Sequence, residues 1–107
     1  MGSTAEAENL ECLLKRGGVV IGMIKPEPSW FDFPWYAGQF VPTDAFGAVR
    51  ALFDEEVRLS DQEDWEAVDR IWAELVEPGL ELAYPDGSTV SDLLIHIVGN
   101  RADWREG

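Results

Sequence analysis

Apolar residues recur along this chain in two periods, and in one stretch they have none. Thr43 follows Pro42 and precedes Asp44, a good N-cap arrangement, and Phe46, Val49, Phe53 and Val57 then recur at helical spacing through DAFGAVRALFDEEV. Ser60 and Glu63 make a capping-box spacing, after which Trp65, Val68, Trp72 and Leu75 mark one face of a second helix that Glu77-Pro78-Gly79 ends. The spacing predicts an antiparallel helix pair over about 44–57 and 61–77, with Phe46, Phe53, Trp65, Trp72 and Leu75 packed against a sheet.

The sheet is read from shorter runs. VVIGMIK (19–25) is β-branched and bounded by Gly and Pro, and LELAY (80–84), SDLLIHIV (91–98) and RADWRE (101–106) are separated by PDGS and by Gly99-Asn100, which suits a II′ hairpin turn. At the N-terminus, STAEAENLECLLKRGG reads as a helix: Ser3 and Glu6 have capping-box spacing, Lys15 and Arg16 come last, and Gly17 supplies a left-handed stop. A hairpin turning at Gly17-Gly18 is the competing reading, because LECLL also passes as a strand. The expected fold is α+β: a mostly antiparallel sheet of about four strands, the helix pair on one face, and an extra N-terminal helix. One domain over 1–107 is expected, with 1–17 peripheral or partly disordered.

Between these elements, PEPSWFDFPWYAGQF (26–40) follows neither period. Half of the chain's twelve aromatic residues, Trp30, Phe31, Phe33, Trp35, Tyr36 and Phe40, fall in eleven positions. Pro26, Pro28 and Pro34 argue for a stiffened loop whose rings cover an edge or end of the sheet. So many rings cannot all face inward. Trp30, Trp35 and Tyr36 are therefore the candidates for a contact site.

Composition narrows the function. The net charge is −13, and the segment from Asp54 to Glu81 holds eleven acids against Arg58 and Arg70, a net of −9. Such a surface repels nucleic acid and attracts basic proteins. Cys12 is the single cysteine, so no intramolecular disulfide forms; MGSTAEAEN has no basic start or apolar run, and a cytoplasmic location is expected. VVIGMI and LLIHIV are strand-sized, far short of the ~20 residues a bilayer requires, so no membrane partner is expected.

No chemical signature is complete. GGVVIG lacks the Gly-Lys-Ser/Thr ending of a phosphate loop, and paired Cys-x-x-Cys, zinc-protease, EF-hand and Gly-x-Ser-x-Gly patterns are missing. His96, the sole histidine, shares a strand face with Leu94 and Val98, opposite Leu93, Ile95 and Ile97. As a general base it needs a partner such as Asp92 or Asp103; the bland reading is a structural or surface histidine. Cys12 among Leu10, Leu13 and Leu14 reads as a buried thiol. Asp61, Glu63 and Asp64 read as acids favouring a helix start, not as metal ligands.

PSWFDFPWYAGQF, FGAVRALFDEEVRL, PGLELAYPDG and DLLIHIVGNRADWR together resemble small hypothetical proteins of actinobacteria that carry a PWF or PWY loop, an LFDEE-like helix and a terminal hairpin. The resemblance spans roughly residues 18 to 105 and implies no activity and no functional residue. Such proteins tend to place acids at the hairpin turn, where this chain has Val98-Gly99-Asn100, which weakens any ion-binding role there.

The leading expectation is a non-enzymatic bacterial interaction domain, monomeric or homodimeric, without cofactor or metal. Its acidic helical face, with Glu63, Glu66 and Asp69, would meet a basic protein partner, and Trp30, Trp35 and Tyr36 would serve as anchors; an immunity or inhibitor protein fits best. The alternative is a small-ligand-binding or enzymatic domain whose pocket lies under the aromatic loop 30–40, lined by His96, Tyr36 or Trp35.

Overall fold

Gly17 and Gly18 both have positive φ, 61° and 80°, the backbone of a tight hairpin turn, so Cys12–Arg16 (β1) folds back antiparallel on Val19–Pro26 (β2). The computed structural model describes residues 11–27 and 34–106. Within them follow Tyr36–Pro42 (β3), a 3-10 helix at Asp44–Ala48, helices Arg50–Asp61 (α1) and Trp65–Val76 (α2), and strands Leu80–Ala83 (β4), Thr89–Val90 (β5), Leu93–Val98 (β6) and Arg101–Glu106 (β7).

All strand pairs are antiparallel, and the described residues form one seven-stranded sheet in the order β5-β4-β1-β2-β3-β7-β6. The sheet curls into a half-barrel. Tyr84, just after β4 near one end of the order, donates its hydroxyl to Glu106 of β7 near the other end at 2.6 Å, and Trp104 Nε1 donates to the Tyr84 hydroxyl at 3.4 Å. Two local features support the curl. The β1/β2 register shifts between Leu14 and Lys15, leaving Ile21 as an extra residue that increases twist. Gly22 then has no side chain where one would collide with Phe40: a Cβ there would lie 2.3 Å from the Phe40 ring.

The two helices complete the core through Phe53 and Leu75. Phe40 meets Phe46 edge-on at 4.9 Å, and Phe46 meets Phe53 at 5.7 Å, which ties β3, the 3-10 helix and α1 together. α1 lies against β6, and Arg16 of β1 donates from its guanidinium to the carbonyls of Leu75 and Glu74, both at 3.0 Å, holding the C-terminal turn of α2 to the sheet.

The fold class expected from sequence is thus corrected: seven strands, not about four, and a sheet-dominated half-barrel rather than a mostly antiparallel sheet with a helix pair on one face. Three strands escaped the pattern. Cys12–Arg16 is strand, not the end of an N-terminal helix, because β2 and β4 pair with it on both sides; residues 3–10 of the expected helix lie outside the described residues. Tyr36–Pro42 is strand, not loop, since the proline restriction stops at Pro34 and β7 pairs with the following residues. Thr89–Val90 is too short to carry a period.

The helix boundaries shift for hydrogen-bonding reasons. Thr43 spends its hydroxyl on the Val20 carbonyl at 2.7 Å instead of capping, and the α-helix starts only at Arg50, after the 3-10 turn. Ser60 is inside α1, and Asp64 is the N-cap of α2, accepting from the Ala67 amide. Phe46, Phe53 and Leu75 are buried as expected, whereas Trp65 is 57% exposed and Trp72 is only partly buried.

Candidate ligand-binding cleft

Phe53, Glu56 and Leu59 form the buried stripe of α1, so a carboxyl group occupies a core position and is only 2% exposed. Both of its oxygens are satisfied. Oε1 lies 2.7 Å from Nδ1 of His96 on β6, and Oε2 accepts from the Ser60 hydroxyl, one helical turn on, at 2.9 Å. Burying such a group is costly unless it is hydrogen-bonded, and here the bonds come from a neighbouring strand and from its own helix.

His96 is correspondingly constrained. Leu93, Ile95 and Ile97 are the core face of β6, and His96 is on the opposite face with exposed Leu94 and Val98, at the sheet edge where α1 packs. The hydrogen bond to Glu56 holds its pKa above the ordinary imidazole value, outweighing the opposing effect of burial, and Asp103 and Asp61 act in the same direction. Trp35 stacks on the imidazole with ring centroids 5.4 Å apart. Nε2 has no hydrogen-bond partner among the described residues.

These groups form the floor of a cleft of about 360 Å³ between α1, α2 and β6. Trp35, Trp65 and Trp72 contribute three indoles, Val68, Leu94 and Ile95 add aliphatic surface, and Asp69 joins Glu56, Ser60 and His96 as a polar group; no Lys or Arg lines it. The volume falls in the range of small-molecule sites, and a largely apolar wall with a few convergent polar groups is their usual make-up.

The arrangement is not that of a serine nucleophile. There an imidazole takes the hydroxyl proton while the carboxylate orients the imidazole; here Ser60 donates to Glu56 itself, and His96 binds the other oxygen of the same carboxyl group. The geometry orients one imidazole and leaves its far nitrogen without a hydrogen-bond partner among the described residues.

The residues singled out from sequence are distributed over the molecule. Trp35 and Asp69 line the cleft. Tyr36 does not; it is 40% exposed and stacks on its cross-strand partner Trp104 at 5.8 Å. Glu66 is exposed on α2 and 3.7 Å from Arg70, and Glu63 is exposed in the turn between the helices with φ of 56°. Trp30 lies outside the described residues. Of the two acids named as partners for His96, Asp103 is its cross-strand neighbour but is engaged by Arg101 at 2.9 Å, and the hydrogen-bond partner is Glu56 instead.

Glu56 is not among the residues singled out from sequence, and Ser60 is read there only as a helix cap, although a signal exists. Phe46, Val49, Phe53, Glu56 and Ser60 follow a 3-4-3-4 spacing, which puts a carboxyl group and a hydroxyl on the apolar stripe. Val57 also fits the helical spacing after Phe53 but is only partly buried.

Among the described residues no cluster of three or more His, Cys, Asp or Glu is placed to hold a metal ion, and no helix is long and apolar enough to cross a membrane. Comparison of the chain with known protein families, characterised proteins and solved structures finds no match.

Proposed function

We propose that this protein is a small-molecule-binding domain that takes a ligand with a flat apolar body into the cleft between α1, α2 and β6, and that it binds this ligand without transforming it. The observation that carries the reading is the buried Glu56 fixing His96 at the floor of a cleft walled by Trp35, Trp65 and Trp72. A carboxyl group in a core is a cost that an apolar residue of similar size would avoid. Its retention is accounted for by a directional partner for the imidazole. The indoles offer apolar area for a ring, and Nε2 offers one hydrogen bond to orient it. A buried, unpaired Cys12 suits a reducing, cytoplasmic setting.

Ligand-observed NMR with a panel of flat aromatic and alicyclic fragments tests this reading. Fragments should bind the wild type and bind Trp72→Ala at least tenfold more weakly. A panel without binders, or binders indifferent to Trp72→Ala, rejects the cleft.

Trp65, 57% exposed at the start of α2 beside exposed Glu66 and cleft-lining Asp69, favours a second reading, in which this acidic helical face docks a basic protein. Capture of a basic partner that weakens steeply with salt and is lost in Trp65→Ala supports it. Salt-independent capture excludes it.

A further inference from the structure

The cleft combines three indoles, an acid and an imidazole, and this combination restricts the charge of its ligand. Resting on the ligand-binding reading above, we infer that the ligand is an organic monocation, an amine carried on a flat apolar body, whose ammonium donates a hydrogen bond to Nε2 of neutral His96 and lies close to Asp69.

Three observations converge. First, three of the chain's five tryptophans line this one cleft, and indole is the side chain whose face attracts cations most strongly. Second, the fixed charge at the wall is negative: Asp69 lines the cleft, and none of the eight Lys and Arg residues does. An anionic ligand would meet no permanent cation there, whereas an ammonium meets a carboxylate. Third, the imidazole is set by Glu56. When His96 is neutral, Nδ1–H donates to Oε1 of Glu56 at 2.7 Å, which leaves the lone pair on Nε2, the nitrogen without a partner among the described residues. A lone pair in that position accepts from an N–H and offers nothing to a carboxylate.

The same geometry makes binding sensitive to pH. The groups facing His96 are Glu56 and Asp61 on α1, Asp103 on β7, itself engaged by Arg101, and Asp69 across the cleft on α2. Protonated His96 keeps its bond to Glu56 and turns Nε2 into a donor carrying positive charge, which repels an ammonium. Amine binding and imidazole protonation therefore exclude one another at one atom, and by linkage the amine lowers the pKa of His96.

The test uses one body with three charges: 2-naphthylmethylamine, 2-naphthylmethanol and 2-naphthoate, titrated into the full chain by calorimetry. At pH 8 the amine should bind at least tenfold tighter than the alcohol, and the naphthoate weakest. Amine affinity should fall about tenfold per pH unit below the pKa of His96. Asp69→Asn, at an exposed helix position, should weaken the amine several-fold and leave the alcohol unchanged; His96→Gln should remove the pH dependence. Equal binding of alcohol and amine, tighter binding of naphthoate, or amine affinity that rises on acidification overturns the cation assignment while leaving the cleft as a site. Failure of all three compounds to bind overturns both.

Discussion

Nδ1 of His96 and Oε1 of Glu56 lie 2.7 Å apart although forty residues separate them in the chain. The contact joins the edge strand β6 to the buried face of α1, and it explains both why a carboxyl group is tolerated in the core and why the imidazole has one fixed orientation. The consequences for stability follow from how unequally the two partners are buried, 2% exposed for Glu56 and 35% for His96.

Removing the imidazole should cost more than altering the carboxyl group. His96→Ala leaves Glu56 buried with Ser60 as its remaining hydrogen-bond partner, an expected loss of about 2–4 kcal/mol, whereas Glu56→Gln keeps the shape and an acceptor and should cost about 1 kcal/mol. Urea midpoints of the two variants check the order. A reversed order would mean that the pair is not what satisfies the buried group.

Stability should depend on pH through His96. Its folded pKa is raised above the ordinary 6.5 by the hydrogen bond to Glu56, so folding favours the protonated form. The added stability is fully present below the unfolded value and is lost as pH rises through the folded one. Melting temperature should therefore decline over that window in the wild type and stay flat in His96→Gln. Because the chain has one histidine, its Cε1 proton can be followed by NMR without assignment, and a midpoint at or below 6.5 would contradict the geometry.

Cys12 should resist modification in the folded protein. It is 1% exposed in the core, and burial pushes its thiol up to about 11, so neither access nor thiolate is available at pH 8. Labelling by an aromatic disulfide reagent should be slow in buffer and complete within minutes in urea. Fast labelling in buffer would mean that β1 opens locally.

Gly22 and Gly38 should respond differently to a methyl group. In Gly22→Ala the new Cβ would meet the Phe40 ring at 2.3 Å, a cost of about 1–3 kcal/mol that Phe40→Leu should partly relieve. In Gly38→Ala it would meet the carbonyl oxygen of Lys25 at 2.4 Å, backbone of the paired strand, and no side-chain change should rescue it. Circular dichroism melts of Gly22→Ala, Phe40→Leu, their double variant and Gly38→Ala separate the two cases.

Local pattern was enough for particular elements, though not for the fold class. The hairpin of β6 and β7 is where Gly99-Asn100 put it, with positive φ at Gly99 alone, as a II′ turn requires, because such a turn is determined by its own two residues. The burial of Phe46, Phe53 and Leu75 is legible for a similar reason: helical period and volume act over one or two turns. The two Gly residues at 17 and 18 pointed to a hairpin as well as to a helix stop, and only pairing of β1 with both β2 and β4 decided for strand.

The cleft was not determined locally. Trp35, Glu56, Trp72 and His96 come from β3's approach, two helices and an edge strand, and each alone has an ordinary reading as loop ring, helix acid, core ring or surface histidine. What brings them together is the curl of a seven-stranded sheet, which sets α1 along β6 and turns one helix acid inward toward one imidazole. Sequence determines which residues can be buried and where the chain turns; which acid meets which base depends on strand order and curvature, and those are properties of the whole sheet.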